Sequence, residues 1–362
     1  MASPSVATVR KAYIIVGGGT TGLVVANRLS ASPHHIVMVI EPGPDERADP
    51  SVTDPFRWTE TQDTVLDWAY DTTPQTNVNG RVLQYHAGRL IGGTSATNGL
   101  NYIRPDAELI DAWEELGATG WNWNTLWPYF KRSERFIRPD PEQQSRGATY
   151  DAASHGEAGE VKIGWMDAMR EREFYNMMKA TWAAMGVQTR QDPNGGRLEG
   201  FGARPWTVDA EAGFRESAAT AFYHPVASRP NLRVVRGTVI KLVWGKSSEG
   251  RQVATGVEYL DHKTSRRLLL SLDQGGEVIL AAGALRSPPI LEASGIGNPA
   301  VLGKLGVDVK VDLPGVGGNL QDQANLLMTL KGGSAEATGY APYAAWVTAD
   351  HIFGDELGSI AA

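Results

Sequence analysis

A chain of 362 residues, 42% hydrophobic and 21% charged, has the apolar content for a large core and the length of two domains, or of one large domain with an insertion. Its net charge of −7 argues against a nucleic-acid partner, and no run of about 18 apolar residues is present to span a membrane. Cysteine is absent, which excludes disulfides, thiolate metal sites and a cysteine nucleophile.

The first residues, MASPSVATVRKAY, hold no apolar signal-like run, and no Asn-x-Ser/Thr acceptor occurs in the chain. With the missing cysteines, these features favour a cytoplasmic protein; the alternative is a secreted protein whose leader has been removed. Residues 13–16 form an aromatic and β-branched run, expected as a buried strand. The run Gly17-Gly18-Gly19-Thr20-Thr21-Gly22 follows with the spacing G-x-G-x-x-G, and then a helical segment, LVVANRLS. In that spacing Gly17 permits a tight turn, Gly19 lets backbone approach a pyrophosphate, and Gly22 allows a helix to pack closely on a strand. The helix N-terminus would direct its N–H groups, and roughly half a positive charge, at the pyrophosphate. A second strand, residues 36–40, ends at Glu41, where a carboxylate can accept ribose hydroxyls and would repel a 2′-phosphate. This pattern alone does not separate NAD from FAD.

Residues 88–102, GRLIGGTSATNGLNY, join a glycine pair to small hydroxyl residues, a loop whose backbone can approach a flat or charged ligand. Residues 277–281 read as another buried strand. The following GALRSPPILEASGIG reads as a tight turn, a helix with Ser287 as N-cap and Pro288 at its first position, and a second turn at Ser294-Gly295.

These segments resemble the two signatures of the glucose–methanol–choline (GMC) oxidoreductases. Arg89, Gly92, Gly93, Thr94, Ser95, Asn98 and Tyr102 fall on positions of the first, with Thr97 standing where an aliphatic residue is usual. Gly283, Ala284, Ser287, Pro288, Ile290, Leu291, Ser294, Gly295, Ile296 and Gly297 match the second. GWNWNTLWPYFKRSE resembles the family's aromatic-rich helix, its tryptophans expected in the core. LPGVGGNLQDQ resembles another family segment, with Gln323 where most members carry His. NLRVVRGTVIKLVW resembles the strand whose valine backbone, Val239 here, holds the adenine. GFRESAATAFYHP, GEVKIGW and DPNGG read like the glucose oxidase and fungal FAD glucose dehydrogenase branch.

The resemblance covers the chain from Lys11 onward and implies an α/β protein: a Rossmann-type FAD-binding domain (the GMC fold) with a partial α+β substrate domain. FAD would contact Gly17, Gly19, Thr21, Gly22, Glu41, Arg89, Gly93, Thr94, Asn98, Val239 and Ala282. The FAD-binding domain would comprise 10–146, with a lid-like segment near 64–84, and 226–310; the substrate domain would comprise 147–225 and 311–362. The family reaction is hydride transfer from an alcohol or sugar to FAD, with a histidine of the family's final segment as base. No residue here matches that segment, so no catalytic residue is assigned. His34, His35, His86, His155, His224, His262 and His351 read as surface or structural, and no metal spacing occurs. The partner is then a small-molecule alcohol, sugar or pathway intermediate, with a second chain supplying the missing part as one possibility. Without that part a sheet edge would stay unpaired. A non-oxidative cyclase or pseudoenzyme, and a nucleotide-binding protein without catalysis, are the alternatives.

Overall fold

The computed structural model describes residues 11–166, 172–273, 275–323, 343–348 and 351. Backbone contacts group the chain into two compact units, Met1–Asn98 with Ser217–Leu330 and Gly99–Glu216 with Lys331–Ala362. Residues 99–146 belong to the second unit because Asn101 bridges Trp206 and the strand Glu134–Phe136 pairs with Val161–Ile163. No helix among the described residues is long and apolar enough to cross a membrane.

The first unit is α/β. Its strands are β1 (Lys11–Val16), β2 (His35–Glu41), β3 (Leu232–Lys246), β4 (Gln252–Asp261), β5 (Arg266–Ser271) and β6 (Glu277–Leu280), in the sheet order β5-β4-β3-β2-β1-β6. Helix α1 (Thr20–Ser30) connects β1 to β2, and α2 (Ser287–Ala293) follows β6. Strands β6, β1, β2 and the first residues of β3 run parallel; from Gly237 onward β3 pairs antiparallel with β4. A parallel strand is covered on both faces, which is why KAYIIV and HIVMVIE read as nearly unbroken apolar runs. Alternation then splits them. Ile14, Val16 and Ile40 pack with Val239, Val257 and Ile290 of α2. Tyr13, Ile15, Val37 and Val39 pack with Ala26 of α1 on the opposite face. The chain leaves β1 toward β2 on one side and later places β6 on the other. That reversal opens a crevice at the carboxyl ends of the strands.

The second unit has an apolar core of Phe136, Ile163, Trp165, Tyr175, Phe201 and Tyr343, in which Gly200–Ala203 pairs antiparallel with Tyr343–Trp346. It also buries a charged network. Arg104 pairs with Glu134 at 2.9 Å, and His155 bridges Glu134 at 3.1 Å and Asp192 at 2.8 Å, all four almost fully buried. The His155 ring stacks on Phe136 with 3.7 Å between centroids, so this histidine is structural. The aromatic helix, Trp123–Ser133, corrects an expectation: none of its residues is buried, and Trp121 just before it is 55% exposed. Its indoles cover a charge instead, with Trp127 under the Arg104 guanidinium at 5.1 Å.

Candidate functional site

The crevice begins where β1 ends. Gly17 has φ +105°, a conformation that side chains resist, and its N–H donates to Ile40 O at 2.9 Å, tying the turn to β2. A Cβ on Gly22 would lie 2.0 Å from Gly17 O, so α1 can approach β1 this closely only without a side chain there. No side chain caps α1. Its first-turn N–H groups therefore keep no helical partner, and Thr20 and Thr21 line the crevice.

Glu41 ends β2 and sits at the mouth of the turn. Its carboxylate accepts Gly18 N–H and Gly43 N–H, each at 2.8 Å, one per oxygen. Each oxygen retains a further lone pair. Burial pushes its carboxyl up from the ordinary range, against those two hydrogen bonds and the nearby charges of Arg89 and Arg236.

The second glycine loop is knitted onto the first. Gly92 N–H donates to Gly18 O at 2.9 Å, and Ser95 Oγ accepts Ala218 N–H at 3.0 Å while donating to Gly92 O. At β6, Ala281 N–H reaches Val16 O at 2.8 Å. Ser287 is the first helical residue of α2 rather than its N-cap, a position held by Arg286 without a side-chain cap. The reason is local: Ser287 Oγ accepts Ala282 N–H at 3.1 Å and closes the turn after β6 instead. A β-bulge follows Val239, interrupting the ladder where β3 borders the crevice.

Together these elements enclose a cleft of about 490 Å³, within the usual size of a ligand site. Gly17, Gly19, Thr21, Glu41, Gly93, Thr94, Val239 and Ala282 line it. Gly22, Arg89 and Asn98 do not. Gly22 is buried in α1, Arg89 lies over the Trp68 ring at 5.0 Å, and Asn98 N–H donates to Thr94 O. Sequence reasoning missed one wall. Trp68 and Tyr70 line the cleft with stacked rings 5.8 Å apart, and Arg286 lies over Trp68 at 4.3 Å. No sequence signal marked it: Ala69 between them takes φ +43°, so a turn rather than strand alternation brings the two rings together. His86 does not line the cleft. It pairs with Asp67, whose oxygens also accept the N–H groups of Asp63, Ala69 and Ala87 and so brace the segment carrying Trp68.

The sequence profile of the GMC oxidoreductases matches residues 11–325. A glucose oxidase-like protein, fsoC, from Humicola fuscoatra is 44% identical over 97% of the chain, and a glucose oxidase from Penicillium chrysogenum is 36% identical over 95%. An FAD-dependent oxidoreductase from Chaetomium thermophilum superposes with a TM-score of 0.79 at 33% identity over 86% of the chain. The chain spans 59%, 56% and 52% of the lengths of these three proteins.

Proposed function

Because the chain belongs to the GMC oxidoreductase family, we propose that its cleft holds FAD and that it is the cofactor-binding part of a flavoprotein that oxidises a sugar or another alcohol. FAD is the cofactor of this family, and the residues present fit it. One observation carries the reading: Glu41, held by Gly18 N–H, stands at the mouth of a glycine turn opening onto an uncapped helix. That is an acid for the ribose beside a cradle for the diphosphate. Among the described residues, and apart from its chain neighbours, the atom nearest a Cβ built on Gly19 would be Gly93 Cα at 3.7 Å, so backbone there stays open to a ligand.

In this reading Gly17, Gly19, Thr21 and the first turn of α1 bind the diphosphate, and Gly22 lets that helix approach. Glu41 accepts the ribose hydroxyls, and Val239 supplies backbone to the adenine. Arg89, Gly93, Thr94, Asn98 and Ala282 support the rest of the cofactor. When bound, FAD would supply the electron chemistry, a two-electron acceptor for a CH–OH donor. Removal of the hydroxyl proton is assigned to no residue of this chain. The similarity to glucose oxidase and a glucose oxidase-like protein supports a sugar or a comparable CH–OH donor.

The test is purification of the 362-residue chain with added FAD, followed by dye reduction with sugars and simple alcohols. A yellow protein that releases FAD on denaturation is the expected result. A colourless protein that takes up no FAD would sink the proposal. Product formed without loss of two hydrogens would favour the non-oxidative cyclase.

A further inference from the structure

We propose that Arg286 is a second anchor for the diphosphate of the cofactor, a cation held in place by the Trp68 indole in the same cleft as the glycine turn. The proposal rests on the cleft being the FAD site.

Arg286 lies in the loop between β6 and α2, and both it and Trp68 line the cleft. Its guanidinium sits 4.3 Å from the centroid of the Trp68 ring. Arg89 lies over the same ring at 5.0 Å. The two cations differ in their surroundings. The charge of Arg89 acts on Glu41, whereas the Arg286 guanidinium makes no hydrogen bond or ion pair among the described residues and rests on the indole. A cation–π contact orients a guanidinium without using its five N–H donors.

The carboxylates nearby are already engaged. Glu41 accepts from Gly18 and Gly43, and Asp67 accepts from three backbone N–H groups and pairs with His86. Two guanidinium groups are therefore gathered at one ring, and the hydrogen-bonding capacity of both nearby carboxylates is largely taken up by other donors.

A third group points the same way. The Tyr70 hydroxyl is buried without a hydrogen-bond partner, although its ring lines the cleft and stacks on Trp68. Burial pushes its hydroxyl up to about 12, so it stays a proton donor at neutral pH. A buried donor left unsatisfied is costly and calls for an acceptor. The Nε of Arg89 is also buried and unpartnered. Unused donors beside two guanidinium groups, in a cleft whose glycine wall offers further N–H groups, suit one chemistry, a polyanion rich in acceptor oxygens. A dinucleotide diphosphate carries both features, and a guanidinium matches its geometry.

The test is calorimetric titration of the full chain with FAD, ADP and adenosine, comparing the unsubstituted protein with Arg286→Gln, Arg286→Lys and Trp68→Leu. Arg286→Gln is expected to weaken FAD and ADP about tenfold, the loss of one charge-assisted hydrogen bond. Adenosine, which lacks the diphosphate, should stay within about twofold and so reports an intact cleft. Arg286→Lys should recover part of the loss, and Trp68→Leu should weaken ADP more than adenosine. Equal affinity of Arg286→Gln and the unsubstituted chain for FAD and ADP would overturn the proposal while leaving the cofactor site standing. Equal losses for ADP and adenosine would overturn it too, by making Arg286 a general support of the cleft. Failure of the unsubstituted chain to bind either FAD or ADP would overturn the cofactor reading itself.

Discussion

Each oxygen of Glu41 accepts one backbone N–H, from Gly18 and from Gly43, in a setting where burial opposes its charge. The acid thus joins β2 to the glycine turn and at the same time lines the cleft. Glu41→Gln keeps one acceptor but turns an NH₂ toward an N–H, leaving a buried donor unsatisfied at about 1–3 kcal/mol. The expected outcome is a lower melting temperature together with weaker FAD binding, read by calorimetry and by flavin fluorescence titration. Unchanged values in both would show that the acid takes no part. That an acid stands at the end of β2 was legible in the sequence. Its two backbone donors were not, because Gly43 returns to it only after Pro42 has turned the chain.

Two glycines of one turn separate the needs of the fold from those of the ligand. At Gly22 a Cβ would lie 2.0 Å from Gly17 O, and neither α1 nor β1 can yield without disturbing the sheet. At Gly19, whose φ is −82°, a Cβ would come no closer than 3.7 Å to any described residue beyond its chain neighbours. Gly22→Ala is therefore expected to destabilise the chain by about 2 kcal/mol or more, within the range of overpacking. Gly19→Ala should melt within a few degrees of the parent yet bind FAD more weakly, because its methyl fills the surface offered to the diphosphate. Thermal melts and FAD titrations on both variants check this, and an FAD affinity unaltered in Gly19→Ala would place the diphosphate elsewhere. At this scale the sequence was informative. The strands expected at residues 13–16, 36–40 and 277–281 are Lys11–Val16, His35–Glu41 and Glu277–Leu280. The start of α2 was misread, because Ser287 uses its hydroxyl on Ala282 N–H, and an N-cap read from residue type alone does not register that competing donor.

Across the whole molecule, the second unit has a pH response of its own. Burial disfavours the charge on His155, but its hydrogen bonds to Asp192 and Glu134, and their charges, hold its imidazole above its ordinary 6.5. Burial opposes the charges on Glu134 and Asp192 as well, yet the His155 hydrogen bond, joined for Glu134 by the Arg104 charge, holds both below their ordinary 4.5 and 3.8. A raised imidazole contributes stability that is complete below 6.5 and lost as pH rises through the folded value. A lowered carboxyl contributes stability present above its ordinary value and lost as pH falls through the folded one. The unfolding midpoint should therefore be highest between about pH 4.5 and 6.5 and fall on both sides. His155→Gln should flatten the alkaline limb, and Glu134→Gln, which strands Arg104, should cost about 3 kcal/mol or more; an unchanged alkaline limb in His155→Gln would refute the assignment. The residues of this network, 104, 134, 155 and 192, are far apart in sequence, and none carries a local signature. The sequence by itself determined the glycine turn, the buried parallel strands and the acid at the end of β2, because backbone sterics and apolar periodicity act between neighbours along the chain. Only the tertiary structure decided which side chains share a cavity. It placed Arg286 on Trp68, His155 between two acids, and the tryptophans of the aromatic helix outside the core, because such contacts depend on where chain closure brings distant segments.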